Sequence, residues 1–315
     1  MILCCGEALI DMLPHGSHST KRRFEPHPGG AAFNTSIALG RLGVPAAVMA
    51  GVSNDMFGAQ ITDALKASGV STQALIRSDR PTTLAFVELE DGHARYAFFD
   101  ENSAGRMITA PEIARVPEAT TALLFGGISL VSEPAADAFA DLLIAQSGQR
   151  LVMLDPNIRP SFVRDEPRYR KRLARLIGHA DIIKVSDEDL DWLVPEAAGE
   201  SAQAQRLLNA GAAVVLVTRG AKGAAAYRAD SKVLTVAPPP VAVVDTIGAG
   251  DAFNAGILAA LAHLFADRPI LMPDISTHHL SQCMTFACQV AAHSVTKPGA
   301  SPPWISELPA GTLMT

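Results

Sequence analysis

Short apolar segments alternate with amphipathic helical patterns along almost the whole of this 315-residue chain. The β-rich segments are Met1 to Cys5, Ala46 to Val52, Ala122 to Phe125, Leu151 to Leu154, Asp181 to Val185 and Ala213 to Val217. The helical patterns between most of them cover residues 31–42, 57–67, 135–145, 169–177 and 202–208. Strands that are apolar throughout and separated by helices indicate a mostly parallel sheet covered on both faces. The chain is therefore predicted to have an α/β fold.

One segment departs from this alternation. Thr83 to Leu89 and Ala94 to Phe99 flank Asp91-Gly92, which is a strong signal for a β-hairpin turn. Together with residues 12–25, this hairpin is predicted to form a small sheet outside the main one. The small sheet is either an edge hairpin or a lid, made of about residues 12–25 and 83–100, that excludes water from transfer chemistry.

The overall charge restricts the partners of the chain. A formal net charge of −6 argues against broad nucleic-acid binding, which requires a basic surface. A small anionic ligand stays compatible with this charge, because one local pocket can be positive in a negative protein. No nucleic-acid partner is therefore expected.

The N-terminus and the cysteines point to the cytoplasm. The segment MILCCGEALIDML contains Glu7 and Asp11 and lacks a basic start, so it does not resemble a signal peptide. The longest apolar run, Ala252 to Ala266, is shorter than the roughly 20 residues that span a membrane and is predicted to be a buried helix. No membrane partner is expected. No CxxC motif occurs, so buried thiols in a reducing compartment are predicted at Cys4, Cys5, Cys283 and Cys288.

The segment DTIGAGDAFNAG, residues 245–256, contains three glycines and two aspartates and leads into the long apolar run. The preceding VAVV, residues 241–244, is β-rich, and residues 251–265 have a helical pattern. Glycines at such a junction let consecutive N–H groups turn toward one anion, and the helix dipole adds positive potential. Asp251 is then either an N-cap or first-turn acid, or a general base that takes a proton from a hydroxyl beside a phosphoryl group.

The segment PGGAAFN, residues 28–34, also leads into a helical pattern. Gly29 and Gly30 form either a tight turn or a place of close backbone approach to a ligand. Asn34 offers donors and an acceptor that suit hydroxyl groups. Asp11 follows the first strand, where it is either a solvated acid or an acceptor for two vicinal hydroxyl groups.

Three further segments follow predicted strands. TRGAKG, residues 218–223, is either a hairpin turn or a nucleotide loop, but it lacks the Lys-Ser or Lys-Thr pair of a P-loop. DPNIRP, residues 155–160, offers Arg159 toward a cleft. KVSDED, residues 184–189, is either the N-capped start of a helix or a set of carboxylates that hold Mg²⁺ through water.

The order and spacing of these segments resemble the ribokinase-like (PfkB) family of carbohydrate kinases. DTIGAGDAF matches the family's D-T-x-G-A-G-D-x-F signature at every fixed position, and the similarity covers nearly the whole chain, from GEALIDML to VTKPGA. The resemblance implies a single domain, residues 1–315, folded as a three-layer α/β/α sandwich with a small β-sheet lid. It also implies transfer of the γ-phosphate of ATP to a sugar hydroxyl.

The resemblance further implies roles for individual residues. Asp251 resembles the catalytic base, and the backbone of Gly248, Ala249 and Gly250 resembles the anion hole. The positions assigned to the sugar are Asp11, Gly29, Gly30, Asn34, Arg159 and Tyr96. The positions assigned to the nucleotide are Lys184, Thr218, Gly220, Gly223 and Gly250.

Ions are implied at two places. The family's N-x-x-E pattern, linked to Mg²⁺ and phosphate, falls on residues 186–189, where serine replaces asparagine and aspartate replaces glutamate. Because aspartate is one methylene shorter than glutamate, contact with Mg²⁺ through water is expected from Asp189 or Glu188. The backbone positions that resemble a monovalent cation site, for K⁺, are Asp245, Ile247 and the loop from Ser294 to Gly299.

Three segments bear on the choice of sugar. GEALIDML, DPNIRP and KVSDEDL are most similar to fructokinases and 2-keto-3-deoxygluconate kinases. Arg159 either pairs with the carboxylate of a keto-deoxy acid or fixes local structure. The hairpin segment ARYAFF, residues 94–99, contains Tyr96, Phe98 and Phe99 with Arg95 as its single cation, whereas a sugar phosphate would require more basic residues. Fructose is therefore the expected acceptor, with the keto-deoxy acid as the alternative.

The alternative from a different functional class is a homologue that binds nucleotide and sugar without turnover. Asp251 argues against it, because loss of the base would be a simple route to inactivity. Lid strands often pair between subunits in this family, so a homodimer through the lid is also expected.

Overall fold

The computed structural model of the protein describes residues 1–14, 23–90, 93–113, 115–229, 232–266, 270–272 and 275–309. The strands in this part of the chain are β1 (Ile2–Cys5), β2 (Leu9–Pro14), β3 (Phe24–Gly29), β4 (Ala46–Met49), β5 (Gly51–Ser53), β6 (Ile76–Ser78), β7 (Leu84–Glu90), β8 (His93–Phe99), β9 (Ala122–Gly126), β10 (Leu151–Asp155), β11 (Ile182–Ser186), β12 (Val214–Thr218), β13 (Ala224–Tyr227) and β14 (Leu234–Val236). The α-helices are α1 (Ala31–Arg41), α2 (Met56–Ala67), α3 (Ala135–Gln146), α4 (Glu166–Ile177), α5 (Asp187–Leu193), α6 (Glu200–Asn209), α7 (Ala249–Leu264) and α8 (Thr277–Ser294). The predicted alternation of strand and helix is confirmed, with element ends that differ from the predicted ones by a few residues.

Eight of the described strands form the main sheet, in the order β14-β13-β12-β11-β10-β9-β1-β4. The pairs from β12 to β4 are parallel, and β13 and β14 add antiparallel strands at one edge. The carboxyl ends of the parallel strands lie side by side, with Gly126 opposite Asp155 and Ser186 opposite Thr218. Open α/β sheets bind their ligands at this end. The mostly parallel sheet is therefore confirmed, and its topology indicates where the site lies.

Helices cover both faces of the main sheet. Successive strand residues point to opposite faces, so Cys4 packs into one core with α1, α2, α7 and α8, whereas Cys5 packs into the other with α3 to α6. The four cysteines are free and buried, as predicted. The three-layer α/β/α architecture is thus confirmed.

A second sheet of four strands stands apart from the main one, in the order β3-β2-β7-β8. It confirms the predicted small sheet, but β2 and β3 extend beyond residues 12–25 at both ends. Asp11, which the sequence placed after the first strand, therefore lies within β2 and pairs with His27 of β3. Residues 15–22 and the predicted Asp91-Gly92 turn lie outside the described residues. The function of this sheet as a lid stays a prediction.

The apolar run that was predicted to be a buried helix forms most of α7. The helix is buried from Asp251 to Leu261 and packs against α1 and α8. A Cβ at Gly256 would lie 2.5 Å from the Cα of Ala287, so glycine permits the close approach of α7 and α8. No helix in the described part of the chain is both long enough and apolar enough to cross a membrane.

Two segments differ from what the sequence suggested. The β-rich residues 241–244 form no strand, and Val243 and Val244 are exposed. The β propensity of valine reflects packing against neighbouring strands, and these residues pair with none. Helix α8 was not predicted, although Leu280, Met284 and Ala287 recur at helical spacing and are buried.

Candidate active site

The first turn of α7 begins at a left-handed glycine. Gly248 is the N-cap residue of the helix and has φ 75°, a conformation that glycine adopts without strain. The N–H of Ala249 donates to the carbonyl of Thr246 at 3.2 Å. The N–H groups of Gly248, Gly250 and Asp251 have no partner among the described residues. This turn therefore offers donors and the positive end of a helix dipole to an anion, although the N–H of Ala249 is already in use.

The carboxylate of Asp251 lies in the same turn but does not cap the helix. No side chain in the described part of the chain caps α7, and Oδ2 of Asp251 instead accepts a hydrogen bond from Nδ2 of Asn34 at 2.9 Å. Asp251 is only 7% exposed. Burial raises the pKa of Asp251 from its ordinary 3.8 to about 7, although the bond from Asn34 acts to lower it. A carboxylate with this pKa can accept a proton near neutral pH, as a general base must.

An ion pair between Lys184 and Asp155 lies buried beneath this turn. Nζ of Lys184 is 2.9 Å from Oδ2 of Asp155, and the two residues are 4% and 2% exposed. The same oxygen accepts from Nδ2 of Asn254 at 2.7 Å, and Asn254 lies three residues after Asp251 on α7. Burial alone would lower the pKa of Lys184, but the charge and hydrogen bond of Asp155, together with the charges of Asp189 and Asp251, more than offset this effect, and the pKa is raised. A Cβ at Gly250 would lie 2.8 Å from Nζ, so the cation is held close under the helix N-terminus.

Four of the residues that were predicted to contact the sugar, Asp11, Gly29, Gly30 and Asn34, come from β2, β3 and the start of α1. A Cβ at Gly29 would lie 2.0 Å from Oδ2 of Asp11, so glycine lets this carboxylate pack against the backbone. Gly30 is the N-cap residue of α1, with φ 104°. Burial raises the pKa of Asp11 to about 7, Arg159 acts to lower it, and Glu7 adds to the increase. Asp11 thus has a second carboxylate near it that the sequence analysis did not assign.

That carboxylate, Glu7, joins two parts of the site. Oε1 of Glu7 accepts from the N–H of Ala31 at 3.0 Å, and Oε2 accepts from the N–H of Ser129 at 3.2 Å. Burial raises the pKa of Glu7, while these backbone bonds act to lower it. A Cβ at Gly127 would lie 2.0 Å from Oε1, so only glycine leaves room for the carboxylate. Glu7 therefore ties the start of α1 to the segment that follows β9.

These elements enclose a cavity of about 300 Å³. The predicted residues that line it are Asp11, Gly30, Asn34, Tyr96, Arg159, Ile247, Gly248, Gly250 and Asp251. Tyr96 and Phe98 line it from β8, so the second sheet forms one wall. The guanidinium carbon of Arg159 lies 5.9 Å from the centroid of the Tyr96 ring, and Nη1 donates to the carbonyls of Asn157 and Ile158 at 3.3 and 3.0 Å. Gly29 and Ala249 were predicted site residues, but they do not line the cavity.

The predicted nucleotide loop is the turn between β12 and β13. Thr218 is paired with Ala224 across the two antiparallel strands, so the hairpin interpretation of TRGAKG is confirmed. Gly220 and Gly223 have φ 53° and 82° in this turn. None of the three predicted residues lines the cavity. They lie at the carboxyl end of β12, on the side of the sheet where the carboxyl ends of the other parallel strands meet. There Oγ1 of Thr218 donates to the carbonyl of Val185 at 3.3 Å.

The two residues proposed from sequence for Mg²⁺ have different environments. Ser186 caps α5 by accepting from the N–H of Asp189 at 3.0 Å, which confirms the N-capped helix start. Asp189 is buried, and its Oδ1 accepts from the N–H of Ile158 at 3.0 Å. Burial raises the pKa of Asp189, and the nearby charge of Asp155 adds to this. Glu188 is exposed. Within the described residues, no group of three or more His, Cys, Asp and Glu is arranged to hold a metal ion.

The segments predicted to hold a monovalent cation are tied together by Asp245. Its Oδ1 accepts from the N–H of Ile247 at 3.0 Å, and its Oδ2 accepts from the N–H of Gly299 at 2.8 Å. The N–H of Asp245 donates to the carbonyl of Val295 at 3.2 Å. The hydroxyl oxygen of Ser294 is buried and has no hydrogen-bond partner among the described residues.

Comparison with known proteins decides the family. Residues 1–307 match the profile described as pfkB family carbohydrate kinase. The chain belongs to this family. The predicted family and the predicted enzyme class, a phosphotransferase, are therefore confirmed.

Fructokinases are among the relatives of this carbohydrate kinase. It is 49% identical over 261 residues to a fructokinase from Rhizobium leguminosarum bv. trifolii. The aligned region covers 83% of this chain and 79% of the relative. The crystal structure of a fructokinase with bound ATP from Xylella fastidiosa has a TM-score of 0.88 and 30% identity, over 97% of this chain and 96% of that one. The structure of a fructokinase double mutant from Vibrio cholerae O395, in a form with fructose, ADP and potassium ion bound, has a TM-score of 0.83 and 26% identity. The match covers 95% of this chain and 93% of that one.

Sequence reasoning missed three buried residues of the kinase site, Glu7, Asp155 and Asn254. Asp155 was noted only as the start of the segment that contains Arg159. A signal for Asn254 was available, because a polar residue inside an apolar helix must find a partner and this one lies one turn after Asp251. For Glu7 the signal was a carboxylate directly after an apolar strand. In each case the partner is distant in sequence and could not be named.

Proposed function

We propose that this kinase transfers the γ-phosphate of ATP to a hydroxyl group of fructose. The observation that carries the proposal is the buried carboxylate of Asp251. It lies beside N–H groups of α7 that have no partner among the described residues, and it lines a cavity with Asp11 and Asn34, whose side chains can bind hydroxyl groups. The similarity to fructokinases supports the choice of sugar. The ATP in the X. fastidiosa fructokinase supports the choice of nucleotide.

In the proposed reaction Asp251 acts as the general base. It takes the proton of the attacking sugar hydroxyl as the hydroxyl oxygen forms a bond to the γ-phosphorus. The bond from the γ-phosphorus to the bridging oxygen breaks, and its electron pair leaves with ADP. The N–H groups of Gly248 and Gly250 would stabilise the negative charge of the phosphoryl group in transit. Asp11 and Asn34 would hold neighbouring hydroxyl groups of the sugar.

We place the nucleotide along the turn between β12 and β13. Positive φ angles at Gly220 and Gly223 let the backbone approach a ligand closely, and Thr218 begins the turn. This turn and the N-terminus of α7 both lie near the carboxyl ends of the parallel strands of the main sheet. Lys184 would add positive charge to the phosphate site from beneath Gly250.

The charge of the cavity favours a neutral sugar over an acid or a sugar phosphate. Among the described residues, the carboxylates that line it are Glu7, Asp11 and Asp251, and the one cation is Arg159. Arg159 lowers the pKa of both Asp11 and Asp251, so it already serves as their counter-ion. A substrate carboxylate, as in 2-keto-3-deoxygluconate, would add a further negative charge to this cavity.

The size of the cavity also favours a monosaccharide. Ligand pockets in proteins range from about 300 to about 1,000 Å³. The cavity of about 300 Å³ is at the lower end of this range, which suits a single sugar ring better than a nucleoside.

Two ions are part of the proposal. Mg²⁺ would be held through water by Asp189 together with the ATP phosphates, because Mg²⁺ retains several of its water ligands in proteins. It would reduce the repulsion between the phosphates and Asp251. K⁺ would lie between the loops that Asp245 joins, and the V. cholerae fructokinase with potassium bound supports this assignment.

We propose that the second sheet acts as a lid. Tyr96 and Phe98 already form part of the cavity wall, so movement of this sheet would control access of water. Phe99 is 61% exposed and contacts Phe86, which leaves apolar surface on the outer side of the lid. A homodimer through the lid and a cytoplasmic location belong to the same proposal. The side chain of Arg95, the cation predicted in this segment, lies outside the described part.

The proposal is tested by measuring ADP release with a panel of acceptors. The panel contains fructose, 2-keto-3-deoxygluconate, ribose, adenosine and fructose phosphates. We expect kcat/KM to be highest for fructose, by about tenfold or more, because a site built around hydroxyl groups discriminates through them. The highest value for the keto-deoxy acid would replace the proposed sugar. Stabilisation by ligands without turnover of any acceptor would instead support the non-catalytic homologue.

A further inference from the structure

Asp155 is a buried carboxylate that the proposed reaction does not use. It is 2% exposed and does not line the cavity, so it cannot contact the sugar. A buried ion pair contributes little net stability, because desolvation of both charges opposes their attraction. The contacts of Asp155 point to another role.

The contacts of Asp155 converge on the parts of the site that carry charge. Its Oδ2 accepts from Nζ of Lys184 at 2.9 Å and from Nδ2 of Asn254 at 2.7 Å. Its Oδ1 accepts from the N–H of Asn157 at 3.2 Å, at the start of the loop that carries Arg159. One carboxylate thus connects β10 with β11, with α7 and with the loop of the cavity cation.

We propose that Asp155 is a positioning residue for phosphoryl transfer, which orients the first turns of α7 through Asn254 and holds the charge of Lys184 beneath its N-terminus. Asn254 and Asp251 lie three positions apart on one face of α7, so a bond that holds the first also sets the direction of the second. The inference rests on the proposed role of Asp251 as the base.

The charges around Asp251 give this role a measurable signature. Among the described residues, the polar and titratable groups around Asp251 include Asn34 of α1, Asp155 of β10, Lys184 of β11, Arg159 of the loop after β10, Cys4 of β1 and Tyr96 of β8. The carboxylates of Glu7 and Asp11 line the same cavity. Among them, Asp155 acts to raise the pKa of Asp251, whereas Lys184 acts to lower it. Removal of either charge should therefore move the titration of the base, and the two removals should move it in opposite directions.

The test compares the pH dependence of kcat in Asp155→Asn and Lys184→Met. We expect the acid limb to move to lower pH in Asp155→Asn and to higher pH in Lys184→Met, with the double variant near wild type. In Asp155→Asn we also expect kcat to fall by about tenfold or more while KM for fructose stays within about threefold, because Asp155 does not line the cavity. Titration of ATP itself contributes equally in every variant.

Asp181→Asn is the matched control. Asp181 is a partly buried aspartate next to β10, where its Oδ2 accepts from the N–H of Val152 at 2.8 Å, and burial raises its pKa. It directly precedes β11 and so lies at the amino ends of the parallel strands, whereas the site lies at their carboxyl ends. We expect no shift of the acid limb in this variant.

The double variant keeps the inference testable if Asp155→Asn does not fold. It leaves no buried unpaired cation, and its difference from Lys184→Met measures the same contribution of Asp155. The inference is overturned if the acid limb of Asp155→Asn stays at the wild-type pH and that of the double variant stays at the pH of Lys184→Met. Asp155 would then be only structural. Asp251→Asn separates this outcome from failure of the proposed function. Near-normal turnover in Asp251→Asn would show that Asp251 is not the base, so the proposed function would fail. Loss of turnover in Asp251→Asn, with no shift of the acid limb on removal of Asp155, would overturn only the role of Asp155.

Discussion

Nδ2 of Asn34 donates a 2.9 Å hydrogen bond to Oδ2 of Asp251, across 217 positions of the sequence. Asn34 lies in the first turn of α1 and Asp251 in the first turn of α7, and the two helices pack against each other. The N–H donor favours the ionised carboxylate, so this bond offsets part of the effect of burial on the pKa of Asp251. The contact joins a residue assigned to the sugar with the residue assigned to the chemistry.

Asp251→Asn should lose most of its turnover. We expect kcat to fall by about 10² or more, on the scale of general-base catalysis, because an amide cannot accept the proton of the sugar hydroxyl. ATP affinity should be largely unchanged. Steady-state kinetics and ATP titration measure the two quantities, and a variant with near-normal turnover would contradict the assignment.

The same variant should be more stable than wild type at high pH. The pKa of Asp251 is 3.8 in its ordinary state and about 7 in the folded protein. Stability that comes from this raised pKa is fully present below about pH 4 and is lost as the pH rises through about 7. We therefore expect the Tm of Asp251→Asn to exceed that of wild type by more at about pH 8 than at about pH 5. Equal differences at the two pH values would mean that Asp251 is not protonated in the folded protein between them.

Asn34→Ala should move the acid limb of kcat to higher pH. The bond from Asn34 acts to lower the pKa of Asp251, so its loss lets burial raise that pKa further. KM for fructose should also increase, because Asn34 lines the cavity. Asn54→Ala is the control, since it removes a similar 2.7 Å bond from Nδ2 to Asp79 away from the site. A limb that moves equally in both variants would refute the specific role of Asn34.

Gly248→Ala should impair activity beyond the cost of backbone strain. Gly248 has φ 75°, and a Cβ there would lie 2.7 Å from the Cβ of Ala300, so the turn that precedes α7 must shift. Gly69→Ala is the matched control, because Gly69 has φ 73° and open space around the added Cβ. We expect both variants to lose about 1 kcal/mol or more of stability and only Gly248→Ala to lose kcat. Equal kcat in the two variants would show that the geometry of this turn is not required.

Glu7→Gln should weaken both stability and sugar binding. Each oxygen of Glu7 accepts one backbone N–H, from Ala31 and from Ser129, and a side-chain amide can accept only one of these bonds. The donor left without a partner costs about 1–3 kcal/mol, seen as a lower Tm. KM for fructose should rise because the two walls of the cavity are no longer tied. A lower Tm with an unchanged KM would assign Glu7 a structural role alone.

Much of the fold and the reaction class could be predicted because their signals are local. An apolar strand, a helical spacing or glycines before Asp251 can each be recognised within a few residues. Prediction was wrong or incomplete where the outcome depends on distant partners. The β-rich residues 241–244 have no neighbouring strand with which to pair, and so they stay irregular. Glu7 and Asp155 acquire their roles from backbone and side chains that lie far along the chain.

The sequence by itself determined that buried parallel strands alternate with helices and that an acid follows a glycine turn at the start of α7. These properties depend on spacing and on backbone freedom within single elements. Only the tertiary structure decided that Asn34 and the Asp155–Lys184 pair meet at that turn, because the order of the strands brings them there. Packing of α7 against α1, α8 and the sheet also buries Asp251, and this burial raises its pKa to about 7. A first-turn acid thereby becomes a carboxylate that can accept a proton.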